Sequence, residues 1–106
     1  MKFAEWLVQQ VWEQARATRD RDSDEWRKDE CGAWICRTHY DNPTSEYGWK
    51  IVTVVPGGDD EPRNLAAFHR DNGFDLANGR PRCAVAADRT DIAPSQQVGQ
   101  PRNARA

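Results

Sequence analysis

The sequence predicts a small α+β domain. Three observations carry that prediction. An amphipathic repeat opens the chain, a β-branched run with turn residues at its end lies near the centre, and 106 residues fit one domain. A chain of this length buries a modest core. Only 38% of residues are hydrophobic, and mean hydropathy is −0.94. Trp6, Trp12, Trp26, Trp34 and Trp49 must therefore supply much of the buried area, and the core is expected in the first half of the chain.

Residues Phe3 to Ala17 read as a helix. Phe3, Leu7, Val11 and Ala15 recur every four residues, and Ala4, Val8 and Trp12 widen the stripe. A polar loop, Thr18 to Asp22, follows. Ser23 suits the N-cap of a short turn over Asp24 to Lys28, with Trp26 facing inward. In CGAWICRTHY, Ala33, Ile35 and Arg37 alternate with Trp34, Cys36 and Thr38, which reads as a strand. Asp41 to Ser45 is a turn signal. Trp49 to Val55 is β-branched and short, hence a second strand, placed to pair with the first as a hairpin.

Pro56 ends that strand, and Gly57-Gly58 makes a turn. Asp59, Asp60 and Glu61 sit where a helix N-terminus attracts acids, Pro62 suits a first helical turn, and Leu65 and Phe68 mark an inner face ending near Asn72-Gly73. A turn at Asn78 to Pro81 follows. The segment Cys83 to Ala87 carries no type. Residues 1–92 form one expected domain, and the polar residues 93–106 an expected flexible tail.

Formal net charge is −2 and pI is near 5.6. This balance argues against a strong electrostatic nucleic-acid footprint. No apolar run approaches a membrane span, and no leader segment is evident, so no membrane contact is expected. Three cysteines at irregular spacing argue against a disulfide scaffold and for a reducing cytoplasm. Cys31, Cys36 and His39, with His69 or Cys83, offer donors for a structural zinc, without the paired knuckles that such sites favour.

Four quoted pieces carry a family resemblance: RKDECGAWI (Arg27 to Ile35), SEYGWKI (Ser45 to Ile51), PGG (Pro56 to Gly58) and NLAAFHRDN (Asn64 to Asn72). Their order and spacing resemble a phage- and bacterium-associated branch of the HNH endonuclease family. The resemblance implies a ββα-metal core over about residues 31–76, completed by the N-terminal helix. In that family an Asp-His pair and a helix His or Asn hold a divalent metal and generate the nucleophile. Here Val52 and Thr53 stand at the Asp-His positions; valine cannot ligate a metal, and Thr53 has no side-chain pKa near neutrality to act as a comparable base. Asn64 matches the orienting Asn, and Asn72 or Gly73 the last metal position.

The resemblance thus implies a degenerate nuclease: a non-catalytic interaction protein without a cofactor, bound to a protein partner that could belong to a nucleoprotein complex. Phage or mobile-element inhibitors of host nucleic-acid-targeting systems, anti-CRISPR proteins included, fit this description by analogy. The alternative is an endonuclease using Mg or Zn, with displaced chemistry on His69, Asn64 and Asn72 and an acid such as Asp71 or Asp75. A third reading is a nucleic-acid-binding module with Arg63 and Arg70 on phosphates.

Overall fold

The computed structural model describes residues 3–88, 92–94, 97 and 102–103. Helix α1 runs over Glu5–Gln14 and buries Leu7, Val8, Val11 and Trp12, the spacing of one helical face. It is shorter than the predicted 3–17. Ala15 turns extended, and Arg16 then exchanges two backbone hydrogen bonds with Lys28, at 3.0 and 2.9 Å. The chain passes from helix to sheet edge within two residues.

Six short strands follow: β1 (Trp26–Lys28), β2 (Trp34–Cys36), β3 (Trp49–Thr53), β4 (Leu65–His69), β5 (Gly73–Asp75) and β6 (Arg80–Arg82). They form three antiparallel pairs, β1 with β2, β3 with β4, and β5 with β6. The α+β class is as expected, but the pairing is not. The turn expected at Asp24 to Lys28 extends into β1, and β2 pairs with it rather than with β3. The loop between β1 and β2 is the shorter one, so it closes at lower entropic cost. Gly32 supplies the positive φ of 87° that this tight loop needs.

The larger correction concerns Asn64 to Asn72. Its central part, Leu65–His69, is strand β4, not helix, and pairs along its whole length with β3, from Trp49 opposite His69 to Thr53 opposite Leu65. Every β4 residue is buried. A helix would bury one stripe of LAAFH, whereas a strand packed between two apolar layers buries both faces. The acids Asp59 to Glu61 therefore precede a single 3-10 turn, Pro62–Asn64, and cap no α-helix. Residues 31–76 contain no α-helix, so the expected ββα core does not form there.

The β3–β4 pair lies between two apolar layers. On one face Trp49, Leu65 and Ala67 pack with Leu7, Val8, Val11 and Trp12 of α1 and with Ile35. On the other, Ala66 and Phe68 pack with Cys31, with Val52, Val54, Phe74 and Cys83 at the margin. The β5–β6 hairpin turns at the predicted Asn78-Gly79, with Gly79 at φ 66° and the Asp75 carboxylate accepting from Ala77 and Asn78.

A disulfide joins Cys31 to Cys83 across 52 residues. It overturns the expectation of unpaired thiols, and with it the argument for a reducing compartment. Irregular spacing concealed the pair because its cysteines are distant in sequence and are brought together on one face of β3–β4. Among the described residues no helix is long and apolar enough to cross a membrane. Within the segment expected as a tail, Asn103 is buried, as is Ile92 just before that segment; residues 95–96, 98–101 and 104–106 lie outside the described set.

Candidate functional site

Two of the residues expected to carry chemistry, His69 and Asn72, meet at an acid that sequence reasoning did not single out. Asp29 is 1% exposed. Its Oδ1 accepts from the N–H groups of Cys31 and Ala33, both at 2.9 Å. Its Oδ2 accepts from the His69 N–H and from Asn72 Nδ2, both at 2.9 Å. Burial pushes this carboxyl upward, and the four donors oppose that shift by favouring the anion. All four lone-pair directions are used, so none faces a substrate. The only sequence hint was an Asp just before Cys31-Gly32, the chemistry of an Asx turn.

Asn72 is equally committed. Its Oδ1 accepts from Ala84 and Val85 at 2.7 and 2.8 Å, while Nδ2 also donates to Val85 O at 2.9 Å. His69 is fully buried. Its Nε2 lies 2.6 Å from the Glu46 carbonyl, and its Nδ1 accepts from the Asp71 N–H at 3.1 Å. That pattern assigns the neutral tautomer with the proton on Nε2. Burial lowers its pKa, and the Glu46 hydrogen bond only partly offsets this. Asn64 donates to Asp59 O at 3.1 Å and packs under the turn, where a Cβ on Gly58 would meet its Cγ at 2.9 Å.

Val52 and Thr53 do not share a cleft with His69. Val52 lies at the disulfide layer. Thr53 is paired with Leu65, at the opposite end of the ladder from His69 and Trp49. The zinc donors are also dispersed in role. Cys31 and Cys83 are bonded to each other, Cys36 is buried beside Thr38 Oγ1, and His39 Nδ1 is 2.6 Å from Ser45 Oγ. Among the described residues no group of three or more His, Cys, Asp and Glu side chains could hold a metal ion.

The two arginines expected on phosphates have partners. Arg63 pairs with Glu61 at 3.1 Å. Arg70 Nε donates to Ser45 O at 2.6 Å, and its guanidinium faces Asp71 at 3.4 Å. Arg63 also borders a groove of about 400 Å³ between the α1 exit, β1 and β4, with Arg16, Lys28, Glu30 and Leu65. Burial raises the Glu30 carboxyl there, helped by the Asp29 charge and opposed by Arg16. Lys28 is held by Asp88 at 3.1 Å. The tryptophans expected in the core divide: Trp12, Trp34 and Trp49 are buried, whereas Trp6 is 63% exposed.

The open feature is the outer edge of β3. Arg70 N–H donates to Gly48 O, and Val54 N–H to Asn64 O. Antiparallel alternation then places the backbone bonds to β4 at Lys50 and Val52, and turns Ile51 and Thr53 outward. At the Trp49 end this edge is met by Tyr40 in a parallel bridge, with Asp41 N–H donating to Trp49 O at 2.8 Å. Beyond it Ile51 and Thr53 have no backbone neighbour on that side among the described residues. Val55, one position further, is 40% exposed. Comparison with protein-family models, curated proteins and solved structures finds no match.

Proposed function

We propose that this domain is a non-catalytic binding protein that takes an extended segment of a partner protein along the outer edge of β3. One observation carries the reading: a run of uncharged β-branched residues, Ile51 to Val55, presents outward backbone groups that nothing in the sheet uses. Such an edge templates strand addition, with the backbone giving affinity and alternate side chains giving selectivity. The Tyr40 bridge supports it, since this edge already accepts a chain at Trp49. The structural commitment of Asp29, His69, Asn64 and Asn72 favours binding over hydrolysis. The HNH-like scaffold implied by the sequence loses the helix it needs at Asn64 to Asn72, so the proposal keeps the interaction and not that scaffold.

The test uses peptides selected from a displayed random library against the intact protein. Thr53→Pro removes an outward N–H without removing a bond to β4, because Thr53 does not donate into that ladder. Selected peptides should perturb the Ile51 and Thr53 amides and bind Thr53→Pro at least tenfold more weakly. Binding unchanged by Thr53→Pro would overturn the proposal, as would cleavage of plasmid DNA by the purified protein with Mg²⁺, Mn²⁺ or Zn²⁺.

A further inference from the structure

A second cavity, of about 320 Å³, lies on the opposite side of the β3–β4 pair from α1. Its lining includes Lys50, Asp71, Gly73, Arg82 and Ala84. Two features set its charge. Among the described residues Lys50 and Arg82 form no ion pair, although the Arg82 charge is felt by Asp75. The Asp75 carboxylate is itself occupied with Asn78 and the Ala77 N–H. The acid of the lining, Asp71, is shared by Arg70 at 3.4 Å and Arg102 at 2.9 Å. So two cations that make no ion pair among the described residues line the cavity, and its acid is already neutralised from outside. This occurs in a chain whose overall charge is −2, so the positive field is local to the cavity.

The backbone leaves the cations room. Gly73 has no Cβ, and one built there would stand 3.4 Å from the terminal Nη2 of Arg82, so the guanidinium lies close along β5. Lys50 projects from the disulfide face of β3, as alternation from Val52 requires. A planar fork and a compact ammonium around one cavity are the donor types that recognise a tetrahedral oxyanion.

We infer that this cavity is a binding site for a phosphoryl group, held between Lys50 and Arg82. It stands independently of the strand-addition reading, because the pocket does not involve the outer backbone groups of Ile51 and Thr53. The sequence-level candidates for phosphate contact, Arg63 and Arg70, are replaced in this role by two residues whose charges are not spent.

The experiment is a ¹H–¹⁵N NMR titration of the full chain with inorganic phosphate and, separately, phenyl phosphate, against sodium chloride at matched ionic strength. The expected result is saturable movement of the Gly73 and Ala84 amides with both phosphates and not with chloride. Lys50→Gln and Arg82→Gln should each weaken that binding at least tenfold with spectral dispersion retained, and Arg63→Gln should leave it unchanged. Tighter binding of phenyl phosphate assigns an esterified ligand, and equal binding assigns free phosphate. Shifts that track chloride, or saturable binding that survives both Lys50→Gln and Arg82→Gln, would overturn the inference. Thr53→Pro should retain phosphate binding, which separates failure of this site from failure of the β3 edge.

Discussion

The side chain of Asn103 makes both hydrogen bonds that a neighbouring strand would make to Trp34. Its Oδ1 accepts from the Trp34 N–H at 3.0 Å, and its Nδ2 donates to the Trp34 carbonyl at 2.8 Å. Asp29 plays a similar part for β4 by accepting from the His69 N–H, and Gln14 does so by donating to Leu65 O. Three two-stranded sheets leave many edges, and unpaired backbone inside a core is costly. This chain covers inner edges of β2 and β4 with side-chain amides and a carboxylate, whereas among the described residues no such group covers the outer edge of β3 at Ile51 and Thr53.

Asn103→Ala should therefore destabilise the fold by about 2–4 kcal/mol, since it orphans a buried donor and a buried acceptor at once. Urea denaturation measures the loss. Amide exchange at Trp34 should accelerate more than exchange at Ile51, whose N–H has no backbone partner among the described residues. Equal protection of Trp34 in both proteins would contradict this assignment.

Asp29→Asn should cost about 3 kcal/mol or more. It keeps the volume of the side chain but turns an amide N–H₂ toward donors that need an acceptor. Asn72→Ala should cost a similar amount, because Ala84, Val85 and Asp29 all lose a partner. The two changes share one network, so the double variant should lose less than the sum of the singles. Additive losses in a double-mutant cycle would show that Asp29 and Asn72 act separately.

How much of this was legible in the sequence depended on the length and period of each signal. Helix α1 repeats its apolar residues over several turns, and β3 is a β-branched run closed by Pro56 and Gly57, so both were readable. Strand β4 was not: Leu65 and Phe68 satisfy a helical spacing, and a short apolar run fits either state until its pairing partner is known. Asp29 was hidden in the charged run Arg27 to Glu30, a composition that reads as solvated surface although Lys28 and Asp29 are both buried. Asn103 sits in a polar segment with no apolar period, and its value arises only from the position of Trp34. The residues that seemed chemical, His69, Asn64 and Asn72, have polar side chains that pattern alone cannot divide between catalysis and internal hydrogen bonding.

The lowered pKa of His69 gives a pH dependence with a definite sign. An imidazole whose folded pKa lies below its unfolded value adds its stability in full above the unfolded value. That stability is lost as pH falls through the unfolded value, near the reference of 6.5, toward the lower folded one. A proton added at Nδ1 would also face the Asp71 N–H. The urea midpoint should fall between about pH 7.5 and pH 5.5, and His69→Gln should flatten that slope while being less stable by about 2 kcal/mol at the higher pH. A wild-type midpoint constant over this range would refute the buried neutral assignment.

The disulfide makes the last prediction, and it separates the three cysteines by reactivity. Cys31 and Cys83 are joined, and Cys36 is buried beside Thr38. A thiol reagent should titrate essentially no cysteine in the native protein, Cys36 alone after denaturation, and all three after denaturation with reductant. Reduction should lower stability by about 4 kcal/mol, the loop-closure entropy expected for a bridge of this separation. That is a large share of the roughly 5–15 kcal/mol typical of a domain. Cys83→Ala should reproduce the loss and loosen the layer around Phe68 and Val52 rather than the α1 layer, because Cys83 packs against the former. If reduction left the urea midpoint unchanged, the bridge would not be a structural element of the fold.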